Sequence, residues 1–199
     1  MKEITVKVPD GKNAVWKENE NGETVLTLVS EAPEVKKPVT ERIKTFEDAC
    51  NEIGEDNPLV QAYRSADFNT SGNLKEVLDV IAYLKLRIIA AALNEGWEPQ
   101  FTTDEYRYYP WFYLYTKEEL AQKSEQWKKD HSLVLWGGSA YYGTNCGLAF
   151  AYSHSAFSRS NAVIGARLAV KSEELAKYFG KQFIEIWKDY CVIINEQQA

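Results

Sequence analysis

Apolar and polar residues alternate at the start of the chain. Residues 4–8 read ITVKV, and after a turn signal at Pro9-Asp10-Gly11 the runs AVWKE and ETVLTLV flank Asn19-Glu20-Asn21-Gly22. Alternation of period two puts successive side chains on opposite faces of a strand, and Asn-Gly between two such runs predicts a β-hairpin. The following SEAPEVKKPV is charged and holds two prolines, so it reads as a connection rather than an element. The pattern predicts a small β-hairpin unit over residues 1–30, a linker over 31–39 and a main domain over 40–199.

From residue 40 the period lengthens to that of a helix. In TERIKTFEDACNEIG, Thr45 precedes Asp48 as in a capping box, Phe46, Ala49, Cys50 and Ile53 recur at helical spacing, and Gly54 closes the segment. Pro58 marks the start of a further short helix. The longest helix is predicted over residues 73–94, where Leu74, Val77, Leu78, Ile81, Leu84, Ile88 and Leu93 trace one face and Ala82, Leu86, Ala90 and Ala91 widen it. A helix apolar over most of its circumference belongs at the centre of a fold.

Beyond Trp97-Glu98-Pro99 lies YRYYPWFYLY, residues 106–115, read as a strand; KEELAQKSEQWKK follows as a polar helix or helical turn on the surface. Three β-rich runs come next, LVLWGGSAYYG, GLAFAYSH and GARLAVK, separated by Gly, Ser and Asn. Ser172 then caps a terminal helix with Glu173 and Glu174 in its first turn and Leu175, Phe179, Phe183, Ile186 and Tyr190 on one stripe. The expected fold is α+β: an N-terminal β-hairpin unit, a helical middle, and a C-terminal antiparallel sheet packed by a long central helix and a terminal helix.

Composition narrows the function classes. The 199 residues are 45% hydrophobic and 26% charged, an ordinary globular balance, with a net charge of −6. The acidity is uneven: residues 1–100 carry 12 basic and 18 acidic side chains, residues 101–199 carry 11 of each. General affinity for nucleic acid, which rests on a surplus of Lys and Arg, is unsupported. Cys50, Cys146 and Cys191 stand far apart, so neither a disulfide framework nor a zinc knuckle is encoded. No apolar run reaches the length of a signal peptide or a membrane span, which predicts a cytoplasmic protein with no membrane contact.

With TERIKTFEDACNEIG, YLKLRIIAAALNEGWEP, YRYYPWF and GARLAVKSEELAKYFGKQFIEIWKDY as its marks, the chain resembles over most of its length a family of short proteins encoded by bacteriophages and prophages of gut bacteria. The resemblance implies context: a phage-derived product made inside a bacterial host cell, with no catalytic residues to carry over.

The candidate chemistry lies in the rings. On a strand, Tyr109, Trp111, Tyr113 and Tyr115 share one face and Tyr106, Tyr108, Phe112 and Leu114 the other. Either the stretch is a core strand covered on both sides, or its Trp and Tyr face, apolar in body and polar at the tip, is a binding surface. Pro110 has no N–H for a sheet ladder and argues for an edge or a bulge. Trp136, Tyr141, Tyr142, Phe150, Tyr152 and Phe157 form a second ring group that shares the surface if the strands are neighbours. Arg159, in the loop-like SHSAFSRSN, offers a donor to an anionic or sugar ligand. The candidate ligand-binding set is Tyr109, Trp111, Tyr113, Tyr115, Trp136, Tyr142, Tyr152 and Arg159.

Catalytic signals are weak. His131 and His154 have no metal-ligand spacing, Gly137-Gly138 and Gly143 do not make a phosphate loop, and the adjacent carboxylates Asp104-Glu105 and Glu118-Glu119 diverge on regular structure. No cofactor is expected. The leading reading is a non-enzymatic interaction protein that grips a protein or carbohydrate with the ring surface. Single-stranded nucleic-acid binding, by the same rings with Lys177, Lys181 and Lys188, is the alternative. A small hydrolase with Cys146 as nucleophile and His154 as base, meeting across a hairpin, is a distant third.

Overall fold

A computed structural model describes residues 6–19, 21–30, 36–66, 68, 74–100, 102, 104–136, 146–157 and 166–192. The chain divides into two compact units, Met1–Lys37 and Pro38–Ala199. The first is an antiparallel hairpin of β1 (Lys12–Glu18) and β2 (Thr24–Ser30), with Trp16 opposite Leu26. Its turn is organised by Asn19, whose side-chain oxygen accepts from the backbone N–H groups of Asn21 and Glu23, and Gly22 supplies the left-handed backbone at φ 79°. β1 is exposed at every position. Of the predicted linker, residues 31–35 lie outside the described residues.

In the second unit the capping signals set the helix starts. α1 (Val39–Arg42) is a single turn, and α2 (Phe46–Ile53) opens with a full capping box: Thr45 Oγ1 accepts from Asp48 N at 3.1 Å and Asp48 Oδ2 from Thr45 N at 2.8 Å. α3 (Pro58–Ser65) has Asn57 as its cap and Pro58 in the first turn, where a missing N–H costs nothing. A 3₁₀ turn (Leu74–Val77) leads into α4 (Leu78–Asn94). The innermost side chains of α4 are Leu86, Ile88, Ile89 and Leu93, all fully buried, while Leu78 and Leu84 are only half-buried. Ile81, Ile88 and Leu93 of the predicted face are thus buried, with Ala82, Leu86 and Ala90 from its widened edge, and α2, α3 and the last helix of the chain pack on α4.

The end of α4 is tied to the chain ahead of the terminal helices. Asn94, itself buried, donates from Nδ2 to Ala169 O at 2.9 Å and accepts at Oδ1 from Lys171 N at 3.1 Å. Glu95 then pairs with Lys171 and Arg42, and Arg42 reaches Glu52 as well.

The sheet has three strands in the order β3-β5-β4, all antiparallel: β3 (Tyr106–Tyr115), β4 (Val134–Trp136) and β5 (Cys146–Phe157). Between β3 and β4 stand two short helices, α5 (Lys117–Ala121) and α6 (Glu125–Asp130), where the sequence pattern suggests one. The predicted third β-run, GARLAVK, is no strand. It forms a 3₁₀ turn (Ala166–Leu168) and a single bridge between Val170 and Tyr108, because Leu168 and Val170 are fully buried and the Ala169 carbonyl is taken by Asn94.

The predicted terminal helix is two helices, α7 (Glu173–Gln182) and α8 (Ile184–Cys191), broken at Phe183. The break satisfies two burial demands on adjacent residues: Phe183 enters the main core with Phe179 and Trp187, and Ile184 enters a second cluster with Val134, Leu148, Phe150 and Val192. α7 lies against the sheet at Gly180. A Cβ there would stand 2.6 Å from both Phe150 Cδ2 and Pro110 Cβ, so only glycine allows this approach.

Candidate binding face

The geometry of the ring strand follows from two local features. Tyr108 exchanges both backbone hydrogen bonds with Val170, so its N–H and C=O point away from β5. In an antiparallel ladder this orientation recurs two residues on, at Pro110. The missing N–H of Pro110 therefore falls on the outer edge and the β3–β5 ladder loses nothing. β3 is an edge strand, as a proline in this stretch argues.

The second feature is a register shift. Trp111 faces Tyr152 and Phe112 faces Phe150, which leaves Ala151 as an extra residue on β5. Without it, Phe150, Tyr152 and His154 would share a face. With it, Phe150 and Leu148 point to the helices, whereas Tyr152 and His154 cross to the opposite side.

The sheet consequently has two unlike faces. Tyr108, Pro110, Phe112 and Leu114 face the helical layer, where Phe112 meets Phe150 at 6.2 Å and Trp187 at 5.3 Å between ring centres. Tyr109, Trp111, Tyr113 and Tyr115 face away and meet the rings of β5. Trp111 lies 6.3 Å from Tyr152 and 5.7 Å from His154, and Tyr113 lies 6.4 Å from Tyr152. The row continues through Tyr115 to Trp127 of α6 at 5.2 Å, and Trp127 stacks on His131 at 4.3 Å. Lys123 stands over both Tyr115 and Trp127, 5.4 and 4.8 Å from their centres, a cation held by ring quadrupoles.

Exposure varies along the row. Tyr109 is buried, and its hydroxyl sits 3.0 Å from His154 Nδ1. Trp111 and His154 are half-buried, Tyr113 is 49% exposed and Tyr152 42% exposed. Burial pushes the Tyr109 phenol up, and burial with the neighbouring Tyr113 and Glu119 does the same for Tyr115. Partial desolvation and the Tyr113 hydroxyl raise Tyr152. All three hydroxyls stay protonated at neutral pH and can both donate and accept.

Of the candidate set, Tyr109, Trp111, Tyr113, Tyr115 and Tyr152 come together on this face. Trp136 contributes its backbone to β4 opposite Cys146, while Tyr142 and Arg159 lie outside the described residues, as does Tyr141. Phe150 does not join the second ring group: the bulge at Ala151 sends it to the core. His154, His131, Trp127 and Lys123 complete the row. The i, i+4 spacing of Trp127 and His131 on a capped helix carries the signal for that pair; only the register shift reveals His154.

The catalytic pairing of Cys146 and His154 is excluded. They do not face each other across a hairpin but lie on one strand, eight residues and so about 26 Å apart. Among the described residues, no group of three His, Cys, Asp or Glu side chains could hold a metal ion. The three lysines belong to the helical side of the sheet. Lys177 pairs with Glu173, Lys188 with Glu185 and Asp189, and Lys181 stands 5.3 Å over the ring of Phe150. No helix among the described residues is long and apolar enough to cross a membrane. No protein-family model, curated protein or solved structure matches the chain.

Proposed function

We propose that the chain is a non-enzymatic interaction protein, of the phage-derived kind its sequence resembles, acting inside a bacterial host cell and binding a protein or carbohydrate through the outer face of the β3–β5 pair. One observation carries this reading. Rings stand on both faces of the β3–β5 pair, yet the helices pack on Tyr108, Pro110, Phe112 and Leu114, and the outer face leaves Trp111, Tyr113, Tyr152 and His154 as a row of partly open rings. Large rings with polar tips at a half-open surface are the groups that dominate binding energy in recognition sites. Single-stranded nucleic acid takes second place, because Lys177 and Lys188 are paired with carboxylates on the helical side and do not frame the rings.

The test selects ligands in parallel from a glycan array, a random dodecapeptide display library and a set of single-stranded oligonucleotides. The wild type and a Trp111→Ala/Tyr152→Ala variant are compared. Ligands bound by the wild type should be lost by the variant, with Lys177→Ala retaining them. A variant that keeps every ligand would remove this face as the binding surface.

A further inference from the structure

Resting on that binding reading, we infer that the ring face takes a neutral carbohydrate, a short run of uncharged pyranose units seated over Trp111, Tyr113, Tyr152 and His154. Three observations converge on this class. The first is size. Rings of this kind carry about 150–250 Å² each, so two at under half exposure and two half-buried leave roughly 300 Å² open. A stable protein interface covers about 800 Å² on each partner, well over twice the ring patch. A few sugar units fit the area; a folded partner would draw most of its interface from outside the ring patch.

The second observation is charge. The contacts among these four rings involve no charged side chain, and the Lys123 cation is committed to Tyr115 and Trp127 at the far end of the row. Among the described residues, Arg107 stands on the same face of β3 but is buried beside Tyr109, so it presents no open counter-charge to a phosphate or carboxylate seated over the four rings. The third is the density of polar tips on apolar bodies. Tyr113 and Tyr152 bring hydroxyls, Trp111 brings an indole N–H, and His154 engages Tyr109 through Nδ1, which leaves Nε2 without a partner among the described residues. Pyranose rings present apolar C–H faces edged with hydroxyls. They satisfy both properties within one small patch, which neither an aliphatic peptide nor a nucleotide backbone does.

The full chain is titrated with maltohexaose, cellohexaose and chitohexaose up to about 10 mM, the range of the weakest useful affinities, with tryptophan fluorescence and calorimetry as readouts. At least one hexasaccharide should bind, and its affinity should fall about tenfold or more on Trp111→Ala and on Tyr152→Ala. It should hold on Lys177→Ala and between about 50 and about 500 mM salt, where a charged ligand weakens steeply. Tyr152→Ala, at the more exposed ring, keeps the test decisive if Trp111→Ala unfolds. No binding by any of the three sugars, binding untouched by both ring variants, or steep salt dependence would each overturn the inference. Dodecapeptides that bind through Tyr152 while all three sugars fail would overturn the carbohydrate class and leave the binding face standing. Failure of sugars, peptides and oligonucleotides alike on this face would remove both.

Discussion

The two faces of the β3–β5 pair both carry aromatic rings and do opposite things. Toward the helices, Phe112 and Phe150 contact Trp187 and the α7 backbone at Gly180, with Pro110 filling the gap beside them. Away from the helices, Trp111, Tyr113, Tyr152 and His154 contact mainly one another. Phe112, Phe150 and Pro110, without polar atoms in the side chain, share the helical side with Tyr108; Trp111, Tyr113, Tyr152 and His154, each with a hydrogen-bonding tip, share the other. Aromatic content alone therefore does not separate core from surface. What separates them is whether a ring has a partner from another layer.

That difference can be broken experimentally, and the largest effect belongs to the dry face. Phe179→Ala should cost about 3–5 kcal/mol in urea unfolding, since the ring is fully buried against Phe183 and Trp187. Tyr113→Ala should cost under about 1 kcal/mol, as a half-exposed side chain away from the core does. Equal shifts of the two midpoints would contradict the assignment of faces. Next in size is Gly180→Ala. The added methyl group collides with Phe150 and Pro110, and overpacking of this kind costs about 1–3 kcal/mol. A neutral or stabilising outcome would show that α7 does not sit on the sheet at this point.

Asn94→Ala should cost about 1–3 kcal/mol, because the Lys171 N–H and the Ala169 carbonyl lose their buried partner. The smallest effect is electrostatic. Lys171 first, with Arg42, holds the Glu95 carboxyl below its ordinary range, and Arg64 does the same for Glu47. A folded-state pKa below the unfolded value stabilises fully above the unfolded pKa, about 4.3 for Glu, and the benefit fades as pH falls through the folded value. Stability should thus decline below about pH 4.3, and Glu95→Gln should flatten that decline slightly while leaving the plateau near pH 7 a little lower. Unfolding midpoints measured from pH 3 to 7, roughly across that carboxylate range, check this.

Much of the architecture is legible in the sequence for local reasons. Thr45 with Asp48, Asn57 with Pro58 and Ser172 act through their immediate neighbours, so the starts of α2, α3 and α7 follow from short patterns. The alternation in β3 likewise places Tyr109, Trp111, Tyr113 and Tyr115 on one face. What the pattern hides depends on distant partners. The bulge at Ala151 is set by pairing with β3 and reverses the face of every ring beyond it, so Phe150 and Tyr152 part company although they stand two positions apart, a spacing that shares a face in a regular strand. The break at Phe183 answers two clusters at once. GARLAVK has strand propensity, but burial of Leu168 and Val170 and the claim of Asn94 on Ala169 leave only one bridge. Cys146 and His154, near in sequence, look like a pair until the strand that carries both is seen to be continuous.

The central claim, that Tyr113 and Tyr152 make the outer ring face the more open of the two, is tested most directly by photochemically induced nuclear polarisation in the free protein, which enhances the signals of Tyr, Trp and His rings that a dye can touch. The structure predicts enhancement for Tyr113 and Tyr152, weaker enhancement for Trp111, and none for Trp187, which is fully buried. Silence at Tyr113 and Tyr152, or a strong signal from Trp187, would contradict the account.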